Sequence, residues 1–97
     1  MCGAPPQGRS LEGVDLARET VIQGHVLRAG NPVPSAYIRL LDDNGEFTAE
    51  VQSSADGYFR FFAAPGTWTL RALSPGGGGE RTLSADRGVN EAELQLS

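Results

Sequence analysis

The chain has 97 residues, a formal net charge of −4 and 39% hydrophobic residues. That is one domain's length, with apolar content for one core and too little basic charge for generic nucleic-acid binding. No apolar run approaches a membrane-spanning helix, and a single cysteine forms no intrachain disulfide, so the fold does not depend on an oxidising compartment. All eight basic residues are arginine, which removes lysine Schiff-base chemistry, the P-loop lysine and Lys–Asn isopeptide crosslinks.

Residues 1–18 read as a flexible N-terminal arm. Pro5-Pro6 favours extended geometry, and no basic segment followed by an apolar one suggests a secretory signal. Leu11, Val14 and Leu16 either dock on the domain or form a short turn. Residues 19–97 read as a β-sandwich domain. Thr20 to Leu27 is β-branched and bounded by Ala29-Gly30-Asn31-Pro32. Ala36 to Leu41 is the second strand. Asn44-Gly45 signals a hairpin, because both residues tolerate positive φ. Glu46 to Ser53, Tyr58 to Ala63 and Thr67 to Leu73 follow, separated by Asp56-Gly57 and Pro65-Gly66. Gly76 to Gly79 reads as a slack connection before Glu80 to Ala85 and Asn90 to Leu96. Short strands punctuated every eight to twelve residues predict an all-β, seven-stranded antiparallel sandwich.

The period of two divides the side chains between faces. One parity holds Ile22, Gly24 and Val26, then Ala36, Ile38 and Leu40, then Phe47, Ala49 and Val51. It continues through Phe59 and Phe61, Trp68, Leu70 and Ala72, and Ala92, Leu94 and Leu96. These are the expected core. The other parity sends Gln23, His25, Tyr37, Arg39, Glu50 and Tyr58 outward, with Arg60, Phe62, Thr69 and Arg71 and the acids of the last strand.

Ile22-x-Gly24-x-Val26 with Gly30-x-Pro32-Val33-x-x-Ala36-x-Ile38-x-Leu40 is one half of a pattern. Asp56-Gly57-x-Phe59-x-Phe61 with Pro65-Gly66-x-Trp68-x-Leu70-x-Ala72 is the other. Together they resemble the carboxypeptidase-regulatory-like, or transthyretin-like, β-sandwich, with Trp68 where Tyr is usual. A narrower resemblance adds Met1-Cys2-Gly3-Ala4-Pro5, Phe47 to Val51 and Phe59 to Leu73. It is similar to a family of small uncharacterised bacterial proteins encoded beside rhodanese-type thiosulfate sulfurtransferases. That resemblance implies sulfur metabolism as context and such a sulfurtransferase as partner, with no cofactor. The related hydroxyisourate hydrolases carry several His and a Tyr-Arg-Gly-Ser end; this chain has one His and ends Leu94-Gln95-Leu96-Ser97, which disfavours that activity.

Cys2 is the candidate sulfur carrier. Trimming of Met1 would leave its thiol beside an α-ammonium group, which favours the thiolate, the form that accepts sulfane sulfur. The simpler account is an idle thiol whose small size permits trimming. Tyr37, Arg39, Tyr58, Arg60, Phe62 and Arg71 form the candidate interaction face, since aromatics with arginine are enriched at binding surfaces. Cross-strand pairing for stability is the plainer account of the same residues, and their strands need not share one sheet. His25 reads as a surface side chain, and Asp42-Asp43-Asn44-Gly45-Glu46 as a solvated turn with too few oxygens for calcium. Cys2 with His25 falls short of a zinc site. The expectation is a cytoplasmic, non-catalytic accessory module without metal. The alternatives are an interaction module with no sulfur chemistry and a carbohydrate-binding module.

Overall fold

β-Branched and aromatic runs between turn residues make eight strands in the computed structural model, which describes Asp15 and residues 17–97. They are β1 (Thr20–Arg28), β2 (Asn31–Pro32), β3 (Tyr37–Leu41), β4 (Phe47–Gln52), β5 (Tyr58–Ala63), β6 (Gly66–Ser74), β7 (Gly77–Ala85) and β8 (Gly88–Gln95). One sheet has β1 at its centre, between antiparallel β5 and parallel β8, with β2 folded back on the end of β1. The other runs β4-β3-β6-β7, antiparallel throughout. Cys2 and most of the 1–18 arm lie outside the described residues. Just before β1, Asp15 accepts from the backbone N–H groups of Ala17, Arg18 and Glu19, which closes a turn that leads into the sheet.

The all-β sandwich read from the sequence is the fold found, and its details add to that reading. The strand β2 is an extra hairpin arm. Ala29 and Gly30 both take positive φ, 53° and 84°, in the tight turn that lets Asn31 pair with Arg28. The first and last long strands pair in parallel, from Thr20 opposite Gly88 to Leu27 opposite Gln95. The Asn44-Gly45 hairpin turns with positive φ at Gly45 alone, while Asp42 Oδ1 accepts from the N–H groups of Asn44 and Glu46, both at 2.9 Å. That carboxylate oxygen serves the turn's own backbone.

Gly77, Gly78 and Gly79 are not slack. Pro75-Gly76 makes the turn, and the next three glycines belong to β7, paired with Ser74, Leu73 and Ala72. Gly77 and Gly79 are bare because backbone at the end of the chain comes close, and Gly78 because Ala72 of the neighbouring strand β6 does. A Cβ on Gly77 would stand 2.3 Å from the Ser97 carbonyl oxygen, and one on Gly79 would stand 2.2 Å from that of Gln95. Ser97 N donates to Gly78 O at 3.1 Å and Leu96 N to Leu27 O at 2.8 Å, so the last residues bond both sheets.

The core lies between the sheets and is built on Ile22, Val26, Ile38, Leu40, Phe59 and Leu70, with Leu94 from β8. Each such side chain contributes about 1.5–3 kcal/mol by leaving water. Phe47 departs from expectation and is exposed. Leu40 pairs with Ala49, but Leu41 pairs with Phe47, so one extra residue enters β4 and turns Phe47 to the outer face. On the other sheet, Val21 and Gln23 point outward by parity yet are buried on the central strand.

Two close approaches give measurable consequences. A Cβ at residue 24 would stand 1.5 Å from Ala92 O, whereas one at Gly30 meets nothing within 4 Å. Gly24→Ala should therefore cost about 3 kcal/mol or more in urea denaturation, and Gly30→Ala only the roughly 1–2 kcal/mol of a left-handed alanine. Ser53 Oγ, buried, accepts from Ala36 N at 2.8 Å and donates to Val33 O at 2.7 Å. Ser53→Ala leaves both backbone groups without that partner and should cost about 2–4 kcal/mol in the same measurement.

Candidate functional site: two outer sheet faces

Because β3 and β6 are neighbours, their outward residues meet in cross-strand pairs, Tyr37 opposite Leu73 and Arg39 opposite Arg71. The flanking strands add Glu50 opposite Arg39 and Glu80 opposite Arg71. A row Glu50–Arg39–Arg71–Glu80 thus crosses the whole sheet. Like charges placed opposite one another repel, and a carboxylate at each end offsets this. Arg39 Nε donates to Glu50 Oε2 at 2.9 Å, and Arg71 Nε lies 3.5 Å from Glu80 Oε1.

Apolar groups border the charged row on both sides. Tyr37 and Leu73, 51% and 53% exposed, line a shallow pocket of about 240 Å³ together with Arg39 and Glu50. On the far side stands Phe47, 59% exposed, with the Arg39 guanidinium 5.9 Å from its ring centroid. Tyr37, Arg39 and Arg71 are therefore brought together as the sequence suggested. Phe47, Leu73, Glu50 and Glu80 complete the face. Leu73 is readable from its two-residue offset from Arg71, whereas the bulge that exposes Phe47 has no signal in the sequence.

Tyr58, Arg60 and Phe62 are not part of that face. They belong to β5, in the opposite sheet, so the proposed set of six is split between two surfaces. There Gln23 accepts from Arg60 Nε at 3.1 Å and donates to Glu91 Oε2 at 2.9 Å, a bridge across three strands. His25 is exposed and meets the Tyr58 ring edge-on, with centroids 4.9 Å apart, while Arg60 stands 5.9 Å from the same ring. Tyr58 is half-buried and engaged by both neighbours, which makes it a poor open platform for a sugar ring. A second hollow, of about 320 Å³, lies among Gly24, His25, Arg81, Glu91, Ala92 and Glu93. Arg81 Nη1 donates to Glu93 O across it at 3.1 Å. Among the described residues, no three His, Cys, Asp or Glu side chains are grouped to hold a metal ion.

The exposed Arg39–Glu50 pair, with side chains 53% and 34% accessible, sits in high dielectric. A double-mutant cycle with Arg39→Gln and Glu50→Gln should give a coupling of about 0.2–1 kcal/mol that fades as salt is raised.

A family model described as "Protein of unknown function (DUF1416)" matches residues 2–96. Two proteins of Mycobacterium tuberculosis strain H37Rv, the uncharacterized proteins Rv0814c and Rv3118, are each 50% identical over the full length of both chains. A Mycolicibacterium smegmatis protein is 53% identical, covering 88% of this chain and 97% of its own. Among solved structures, a DUF3823 family protein from Parabacteroides merdae superposes with TM-score 0.63 at 18% identity, over 82% of this chain and 46% of the other, so this chain spans about half of that neighbour's length. S.CueP superposes with TM-score 0.67 at 12% identity, over 81% of this chain and 64% of that one. At such identities the likeness is one of fold.

Proposed function

The chain belongs to the DUF1416 family, and on that footing we propose that it is a non-catalytic accessory module that docks a rhodanese-type thiosulfate sulfurtransferase and accepts sulfane sulfur on Cys2. The observation behind the docking half is the outer face of the β4-β3-β6-β7 sheet. Tyr37, Phe47 and Leu73 are each more than half exposed there, beside two outward arginines. Large apolar side chains and arginine gathered on one face match the composition of protein-binding patches.

The sulfur half rests on the family resemblance and on the chemistry of a cysteine thiol. Cys2 acts as its thiolate, the nucleophilic form. That thiolate attacks the outer sulfur of the sulfurtransferase's cysteine persulfide. A sulfur–sulfur bond forms at Cys2 as the enzyme's sulfur–sulfur bond breaks, and the enzyme's cysteine leaves as thiolate, with no net oxidant or reductant. The lone thiol suits the reducing cytoplasm, the compartment proposed for it.

Incubating the chain with thiosulfate and a rhodanese-type thiosulfate sulfurtransferase from the same cell tests the reading. Intact-mass analysis should show the gain of one sulfur, about 32 Da, on Cys2, reversed by dithiothreitol and missing in Cys2→Ser. Binding of the sulfurtransferase with no adduct, and full sulfur transfer by Cys2→Ser, would make the chain an interaction module without sulfur chemistry.

A further inference from the structure

The outer face of the β4-β3-β6-β7 sheet has a central charge that its own residues leave half used. Arg39 and Arg71 lie directly opposite each other, and each reaches its glutamate through Nε. Among the described residues, the Nη atoms of both have no hydrogen-bond partner. Their glutamates stand at the outer ends of the row and offset the repulsion between the two guanidinium groups from outside only, and a carboxylate between them fits because it accepts parallel N–H bonds from arginine. On one side the next row brings Tyr37 and Leu73 together; on the other, Phe47 is the exposed apolar group, paired with buried Leu41, and Thr69 and Thr82 continue the row. Along a strand, successive residues on one face stand roughly 7 Å apart, so exposed apolar groups, Tyr37 with Leu73 and then Phe47, flank the basic pair at the spacing of an extended chain.

We propose that this face receives an extended acidic segment of a partner protein, with a Glu or Asp between Arg39 and Arg71 and an apolar residue two positions to either side. The proposal rests on the docking reading above and specifies the chemistry of the docked element. A second copy of this chain is a poorer occupant. The row runs minus, plus, plus, minus, so a copy turned onto it in register about either in-plane two-fold axis sets arginine against arginine and glutamate against glutamate. Nucleic acid is also disfavoured, because glutamates flank the arginines and the chain carries a net charge of −4.

The test is an NMR titration of the isotope-labelled full chain with two capped peptides, Leu-Thr-Glu-Thr-Leu and Leu-Thr-Gln-Thr-Leu. The acidic peptide should shift the amides of Tyr37, Arg39, Arg71 and Leu73, and bind about tenfold more tightly than the neutral one. Raised salt should narrow the difference. The double variant Arg39→Gln, Arg71→Gln, whose circular dichroism should match the parent because both side chains are exposed, should abolish it. Equal affinity for the two peptides, or shifts centred on Tyr58, Arg60 and Phe62, would overturn the proposal. The sulfurtransferase separates this inference from the reading beneath it. Capture of that enzyme equally by parent and double variant sinks the acidic-segment inference and leaves docking intact. No capture, together with arginine-dependent preference for the acidic peptide, sinks the sulfurtransferase reading and upholds the acidic segment.

Discussion

The carbonyl oxygen of Ala92 occupies the space where a side chain at residue 24 would stand. That approach lets the last strand lie parallel to the first, and the parallel pair makes β1 a central strand bonded on both sides. Much else follows from this. With β5 and β8 both against it, β1 buries Val21 and Gln23 on its outer face as well as Ile22 and Val26 on its inner one. A central strand buried on both faces is the most protected part of a sheet, and a single methyl group at residue 24 is incompatible with it.

The same close contact between backbones recurs where the sheets meet. Glycines 77 and 79 in β7 admit the carbonyls of Ser97 and Gln95, and hydrogen bonds from Leu96 and Ser97 join the two layers at that edge. Near the opposite edge, a single hydroxyl, that of Ser53, holds the bend between β2 and β3 against the end of β4. Neither device adds much apolar area. Each satisfies backbone groups that a small sandwich would otherwise bury without partners, which leaves the faces of the sheets free to differ in chemistry.

How much of this the sequence discloses depends on the range of the interaction. Alternation of large apolar residues places Ile22, Ile38, Phe59 and Leu70 inside because parity is a local property. The stability prediction for Gly24 is not local, since it requires knowing that β8 lies beside β1. The glycine run read as slack because composition alone does not distinguish a flexible linker from a strand pressed against another backbone. Phe47 shares parity with Ala49 and Val51 and reads as core, and one extra residue in β4 reverses it. The six-residue interaction set divides between the two sheets for a reason of the same kind. Parity shows that Tyr37, Arg39, Tyr58, Arg60, Phe62 and Arg71 point outward, but assigning them to one sheet or the other takes the pairing order. Cys2 lies outside the described residues, so the role proposed for it draws on thiol chemistry and family resemblance alone.

The two outer faces carry similar residue types and differ in how those residues are used. On the β5-β1-β8 face, Gln23 accepts from Arg60 and donates to Glu91, and the aromatic ring of Tyr58 is taken up by His25 and Arg60. A ligand there would have to displace bonds already made, and the exchange would return little. On the β4-β3-β6-β7 face, each arginine meets its glutamate through one nitrogen, and Tyr37, Leu73 and Phe47, the last with Arg39 5.9 Å from its ring, are each more than half exposed. An incoming carboxylate adds bonds there without breaking any, while Tyr37, Phe47 and Leu73 gain from leaving water. The difference in free capacity, more than the count of aromatics or arginines, is what makes the second face the one suited to a partner.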